Sequence, residues 1–120
     1  MNWIRKEKRL AIYLRDGLAC PYCGDTVENG AKLSLDHLTP YSQGGSNSET
    51  NLITCCCRCN SARQDRPVHD FVEKVAGYIN EDAMIIMAYI EKQTKTPLKS
   101  FRKEAKEIMA RRGTWERCLS

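Results

Sequence analysis

The sequence predicts an α+β chain: a short β-hairpin and the helix after it, braced by cysteine knuckles, with one helix in front and a helical extension behind. Three observations predict it. Two C-x-x-C pairs, Cys20/Cys23 and Cys56/Cys59, are separated by 32 residues. Between them lie two short apolar segments, around Leu33 and Leu52, divided by a loop rich in Pro, Gly, Ser and Asn. Beyond Pro67, apolar residues recur at helical spacing. With 120 residues, 42% hydrophobic and 28% charged, the chain reads as one ordinary globular unit, small enough that metal staples matter.

Taken in order, Asn2 is the expected N-cap of a first helix running through Arg15, and Asp16-Gly17 ends it. Cys20-Pro21-Tyr22-Cys23-Gly24 forms a tight knuckle in which Gly24 supplies positive φ. Leu33 and Leu35 mark a strand running into Asp36-His37, and Leu52-Ile53-Thr54 a return strand. Thr39 to Asn51 is a loop of about a dozen residues, long enough to suggest function. A helix covers Cys56 to Gln64. Pro67, at a first helical position, opens the next helix, in which Val68, Phe71, Val72, Val75 and Ile79 share a face. Ala83 to Gln93 is more evenly apolar and should pack on that helix, with Met84, Met87 and Tyr89 in the packing core. Thr96-Pro97 supplies the cap and first turn of a last helix ending at Gly113, with Leu98, Phe101, Ala105 and Ile108 on one face. Trp3 and Trp115 are expected in the core or as staples. Residues 1–66 form the expected core and 67–120 a helical extension packed on it, in one compact domain.

Charge and cysteine content narrow the function. The net charge is +4, but residues 1–15 carry five basic and one acidic side chain, and residues 92–120 nine basic and three acidic. Basic ends around a mildly acidic middle suit a chain whose ends grip a polyanion while the middle holds cations. Arg102, Lys103, Lys106 and Arg111, on the last helix, are the expected nucleic-acid contacts there. The longest apolar run, Ala83 to Ile90, is too short to span a membrane, and no secretory signal opens the chain, which predicts a cytoplasmic protein with no membrane partner. Seven cysteines in such a chain point to metal rather than disulfides. Tetrahedral zinc takes four thiolates, and two C-x-x-C turns present two each, so a structural Zn²⁺ is expected on them. Cys55, Cys56, Cys57 and Cys59 offer several second pairs; two-residue spacing selects Cys56 and Cys59. Cys55 is then expected in a small apolar core slot, with Cys57 beside the site and Cys118 a free thiol.

Between the knuckles, Asp36 offers a hard oxygen ligand, His37 an imidazole that titrates near neutrality, and Asn60 a neutral carbonyl oxygen. Side chains of adjacent strand residues leave opposite faces, so Asp36 and His37 can serve one site only where the strand ends. The sequence Cys20-x-x-Cys23, Asp36-His37, Pro40, Gly44-Gly45, Asn51-Leu52, Cys56-x-x-Cys59-Asn60 resembles the HNH endonucleases over about residues 5 to 66. Two positions depart from the family pattern: Asn60 stands where a histidine is common, and Cys55 replaces a leucine before the second knuckle.

The resemblance implies the ββα-metal fold, in which hairpin and helix embrace one catalytic divalent cation (Mg²⁺, Mn²⁺ or another) and the zinc knuckles brace them. It also implies roles: His37 the general base, Asp36 and Asn60 the cation ligands, Asn51 the residue that pins the loop and orients the histidine, Arg63 a basic position near nucleic acid. The implied reaction is metal-dependent hydrolysis of DNA, taken as double-stranded, to 5′-phosphate and 3′-hydroxyl ends. One active site predicts nicking by a monomer, and small proteins of this kind are often found in phage or mobile elements. The other class compatible with four cysteines and basic ends is a non-catalytic zinc-binding nucleic-acid module, which has no need of Asp36, His37, Asn51 and Asn60 together.

Overall fold

The computed structural model describes residues 3–111. The expectations for Asn2, Gly113, Trp115 and Cys118 lie outside them. Helix α1 is Lys6–Arg15, strands β1 and β2 are Leu33–His37 and Leu52–Cys56, and helices α2 to α5 are Cys57–Arg63, Val68–Ile79, Ala83–Lys95 and Lys99–Arg111. The strands pair antiparallel, with Leu33 opposite Cys56 and His37 opposite Leu52. This mixture, two strands followed by a short helix beside a four-cysteine cluster, matches the expected α+β class and the ββα arrangement.

The hairpin is clad on both sides. Leu33, Leu35 and Leu52 meet α1 and α5 in one apolar cluster; Ile53, Cys55 and Cys56 meet the first knuckle, α3 and α4 in another. Alternation along a strand makes two cores from one ribbon. Every residue of β2 is buried, so it runs without the polar alternation of a solvent-facing strand.

Several boundaries differ from those the sequence predicts, each for a local reason. Helix α1 starts after Arg5, which caps it without a side-chain bond, and closes at Asp16, after which Gly17 and Leu18 take left-handed φ values of 75° and 55°. Strand β2 continues through Cys55 and Cys56, so α2 begins at Cys57. Pro67 occupies the cap position before α3 rather than the first helical turn. Thr96 caps the end of α4, its hydroxyl donating to the Lys92 carbonyl, and α5 starts only at Lys99. Met84 and Tyr89, expected in the core, are 79% and 41% exposed, because α4 turns Ile86 and Ile90 inward instead. Helix α5 lies on α1, with Ala105 fully buried beside Leu10 and Ala11, and so brings the two basic ends of the chain together.

The end of α1 is locked to the hairpin by a buried ion pair. Arg15 Nε and Nη2 donate to the two oxygens of Asp16 at 2.8 and 3.1 Å, and Nη1 and Nη2 also reach the Glu49 and Leu52 carbonyls. Asp16 in turn accepts the Thr54 amide at 2.8 Å. Removing one member of such a pair strands the other charge out of water, at a cost of roughly 3–5 kcal/mol. Arg15→Met should therefore lower unfolding free energy by that order in urea denaturation of zinc-saturated protein; a loss below about 1 kcal/mol, the range of a surface pair, would show the pair to be dispensable.

Candidate functional site

Four sulfurs define one end of the hairpin. The Sγ atoms of Cys20, Cys23, Cys56 and Cys59 all lie within 4.8 Å of one another, with Cys23 and Cys56 at 3.7 Å. Four sulfurs placed tetrahedrally about 2.3 Å from a zinc would be about 3.8 Å apart, so the cluster could hold that ion. The knuckles are built locally. Gly24, at φ 81°, lets its amide return to the Cys20 carbonyl at 2.8 Å, and the Cys59 amide points at Cys56 Sγ at 3.4 Å. Arg58 pairs with Asp25 across the two turns.

The thiols of Cys20, Cys23 and Cys59 differ in how readily they lose a proton. The hydrogen bond from Cys59 draws Cys20 down to about 5, whereas burial pushes Cys23 up to about 11 and the bond to Cys20, with burial, raises Cys59 further. The thiolate form is thus favoured at Cys20 and disfavoured at Cys23 and Cys59. Cys55 is separate: it is fully buried among apolar residues near Ser34 Oγ, and burial holds its thiol well above the ordinary range. Cys57 is exposed at the start of α2.

At the other end of the hairpin, Asp36, His37 and Asn60 line one cleft of about 360 Å³ together with Trp3, Tyr41 and Gln64. Asp36 comes from β1, where it is buried, and its Oδ2 accepts from both Tyr22 (2.7 Å) and Arg63 Nη1 (2.6 Å). Both donors meet the same oxygen, which leaves Oδ1 for another partner. The Asn60 amide donates from Nδ2 to Ser34 Oγ at 3.2 Å, turning its carbonyl oxygen away from that contact. Two hard oxygen donors in one cleft suit Mg²⁺ or Mn²⁺, which keep open positions for water and phosphate.

The histidine is held by groups that the sequence does not single out. His37 Nε2 lies 2.7 Å from Asn47 Oδ1, and its ring lies against Trp3 at 4.9 Å, tilted by 34°, with Tyr41 edge-on at 6.1 Å. Asn51 does pin the loop: Oδ1 accepts the Thr39 amide, and Nδ2 donates to the Thr39 and Ser46 carbonyls. It does not bond to the histidine; Asn47, carried by the loop that Asn51 closes, does. Gly45 is needed there, since a Cβ would sit 1.8 Å from the Thr39 carbonyl oxygen.

Arg63 departs most from expectation. It is 1% exposed, and its guanidinium is spent on Asp36, the His37 and Leu38 carbonyls and the Arg66 carbonyl, so it ties α2 to the end of β1 and presents no charge to a phosphate outside. Lys103, Lys106 and Arg111 are exposed on α5, whereas Arg102 is half-buried and 3.7 Å from Glu7 on α1.

Residues 20–66 match the family model described as HNH endonuclease. The CRISPR-associated endonuclease Cas9 of Actinomyces naeslundii is 36% identical over 67 residues, which are 55% of this chain and 6% of that protein. The Cas9 of Corynebacterium diphtheriae is 33% identical over 54 residues, 44% of this chain and 5% of that protein. The chain thus spans about a twentieth of the length of these relatives. No solved structure gives a significant match. The chain therefore carries an HNH endonuclease domain at residues 20–66, and the cysteine cluster and the central residues of the cleft fall within it. Among the described residues no helix is long and apolar enough to cross a membrane.

Because at least Cys23 and Cys59 must lose a proton to ligate metal, zinc affinity should rise with pH, with a slope of about two or more in log apparent affinity per pH unit. Competition titrations from pH 6 to 8 would measure it. Cys59→Ser should lose the metal and Cys57→Ser keep it; the reverse pattern would reassign the second knuckle.

Proposed function

We propose that this protein is a metal-dependent endonuclease that hydrolyses phosphodiester bonds in double-stranded DNA, nicking one strand as a monomer, with His37 as general base and Asp36 and Asn60 as the ligands of a divalent cation. The observation that carries the reading is the meeting of these three side chains, from one strand end and the next helix, in a single cleft within the HNH match. When bound there, the cation supplies polarisation of the scissile phosphate and offsets charge on the leaving 3′ oxygen. Zinc on the four cysteines supplies rigidity rather than chemistry.

The chain's own residues account for the rest. The side-chain Oδ1 of Asn47 is an acceptor, so His37 carries its proton on Nε2 and keeps the lone pair on Nδ1. A base fixed in one tautomer takes a proton from water without first reorienting. Trp3 and Tyr41 limit rotation of the ring, and Asn51 keeps the loop that presents Asn47 closed. Asp36, held through Oδ2 by Tyr22 and Arg63, offers Oδ1 to the cation, and the Asn60 amide is turned by Ser34 to offer its oxygen.

The substrate grip is assigned to α1 and α5. Helical spacing sets the exposed Lys99, Lys103 and Lys106 in one stripe along α5, which packs on α1. On α1, Lys8 Nζ donates to the Asn47 carbonyl at 2.8 Å. Basic side chains thus begin beside the loop that holds the base, which suits a duplex backbone crossing toward the cleft.

Plasmid nicking with Mg²⁺ or Mn²⁺ tests the activity, with EDTA as control. His37→Ala should reduce the nicking rate by on the order of 10² to 10⁴ while zinc content and DNA affinity hold. Activity within a few-fold of wild type would remove His37 from the chemistry, and DNA binding by wild-type protein without nicking in any divalent cation would favour the non-catalytic module. For the grip, changing Lys99, Lys103 and Lys106 together to Gln should flatten the slope of log affinity against log salt by about 0.9 for each phosphate no longer neutralised. A slope unchanged in fluorescence-anisotropy titrations would show α5 to be a solvated face only.

A further inference from the structure

Tyr22 sits between two of the cluster's cysteines, yet its hydroxyl is spent on the opposite end of the site. The side chain is 1% exposed, its ring stands edge-on to Phe71 at 5.0 Å, and its hydroxyl donates to Asp36 Oδ2 at 2.7 Å. A buried phenol with one hydrogen-bond partner is held there by the position of its backbone, and that backbone is the turn from Cys20 to Cys23.

Asp36 already has a charge partner in Arg63, whose Nη1 lies 2.6 Å from the same oxygen. The guanidinium, however, is shared among the His37, Leu38 and Arg66 carbonyls, which fix its place by the backbone around β1 and α2 rather than by the carboxylate. A second donor from a third direction removes the remaining freedom of the carboxylate to rotate about its last torsion. With Oδ2 pinned from two elements, Oδ1 has one direction left.

We infer that Tyr22 is a positioning residue through which the first cysteine knuckle aims the Asp36 carboxylate at the catalytic cation. This rests on the reading of Asp36 as a cation ligand given above. Second partners of metal ligands typically carry a 10- to 100-fold effect on affinity.

The test is Mn²⁺ binding to zinc-loaded, full-length protein in the absence of DNA, measured by calorimetry and by the disappearance of the free-Mn²⁺ paramagnetic signal. Tyr22→Phe keeps the ring against Phe71 and removes only the hydroxyl. The expected result is one zinc retained, a cooperative melt at a lowered temperature still well above that of the assay, and Mn²⁺ affinity weakened about 10-fold or more. In an Asp36→Asn background the same change should have no further effect. Affinity within about two-fold of wild type would overturn the inference and leave the proposed function standing. Loss of zinc in Tyr22→Phe would also overturn it, since the hydroxyl would then serve the cluster. If Asp36→Ala binds Mn²⁺ as wild type does, the assignment of Asp36 as ligand fails, and the inference with it.

Discussion

Four thiols from turns far apart in the chain converge at one end of a two-stranded hairpin, and the rest of residues 20–66 is arranged around that meeting. A hairpin this short is marginal alone, since two strands cannot bury both faces of their side chains. Here one face is covered by α1 and α5 and the other by the knuckle, α3 and α4. The cluster closes the second face by drawing the first knuckle down onto the junction of β2 and α2. Within the cluster the thiolate is favoured at Cys20 and disfavoured at Cys23 and Cys59. Zinc bound by the four cysteines would make the local stability of the hairpin and the chemistry of metal binding the same free energy.

Register then carries this constraint to the cleft. With Leu33 opposite Cys56 and His37 opposite Leu52, β1 leaves the cysteines at one end and delivers Asp36 and His37 at the other. Both line the same cleft at the point where β1 ends. Arg63 closes the arrangement from α2, converting what is a strand end and a helix end into one rigid corner.

Much of this is legible in the sequence, because spacing alone carries it. The paired C-x-x-C turns, the strand before Asp36-His37, the loop closed by Asn51 and the helix carrying Asn60 are local patterns, and α3 follows from periodicity. What spacing does not carry is who meets whom. Arg63 looks like any surface arginine of a short helix; only the approach of α2 to β1 buries it. Asn47 is one of several polar residues in its loop, and nothing in its neighbourhood marks it as the partner of His37. Tyr22 reads as the variable residue of a knuckle. The apolar face of α5 predicts that the helix packs, but that face does not say which helix receives it, and the small Ala105 against α1 settles the question only in three dimensions. The apolar run of α4 misleads for the opposite reason: uniform hydrophobicity masks its periodicity, and the exposed Met84 and Ile85 are indistinguishable in sequence from the buried Ile86.

If the end of β1 holds a cation and a base side by side, paramagnetic broadening by Mn²⁺ in NMR spectra of zinc-loaded protein will reveal it without reference to turnover. Substoichiometric Mn²⁺ should selectively remove the amide signals of Asp36, His37 and Asn60 and the ring signals of His37, and spare those of α4. Broadening centred elsewhere, with the signals of Asp36 and Asn60 untouched, would contradict a cation site at that end of the strand.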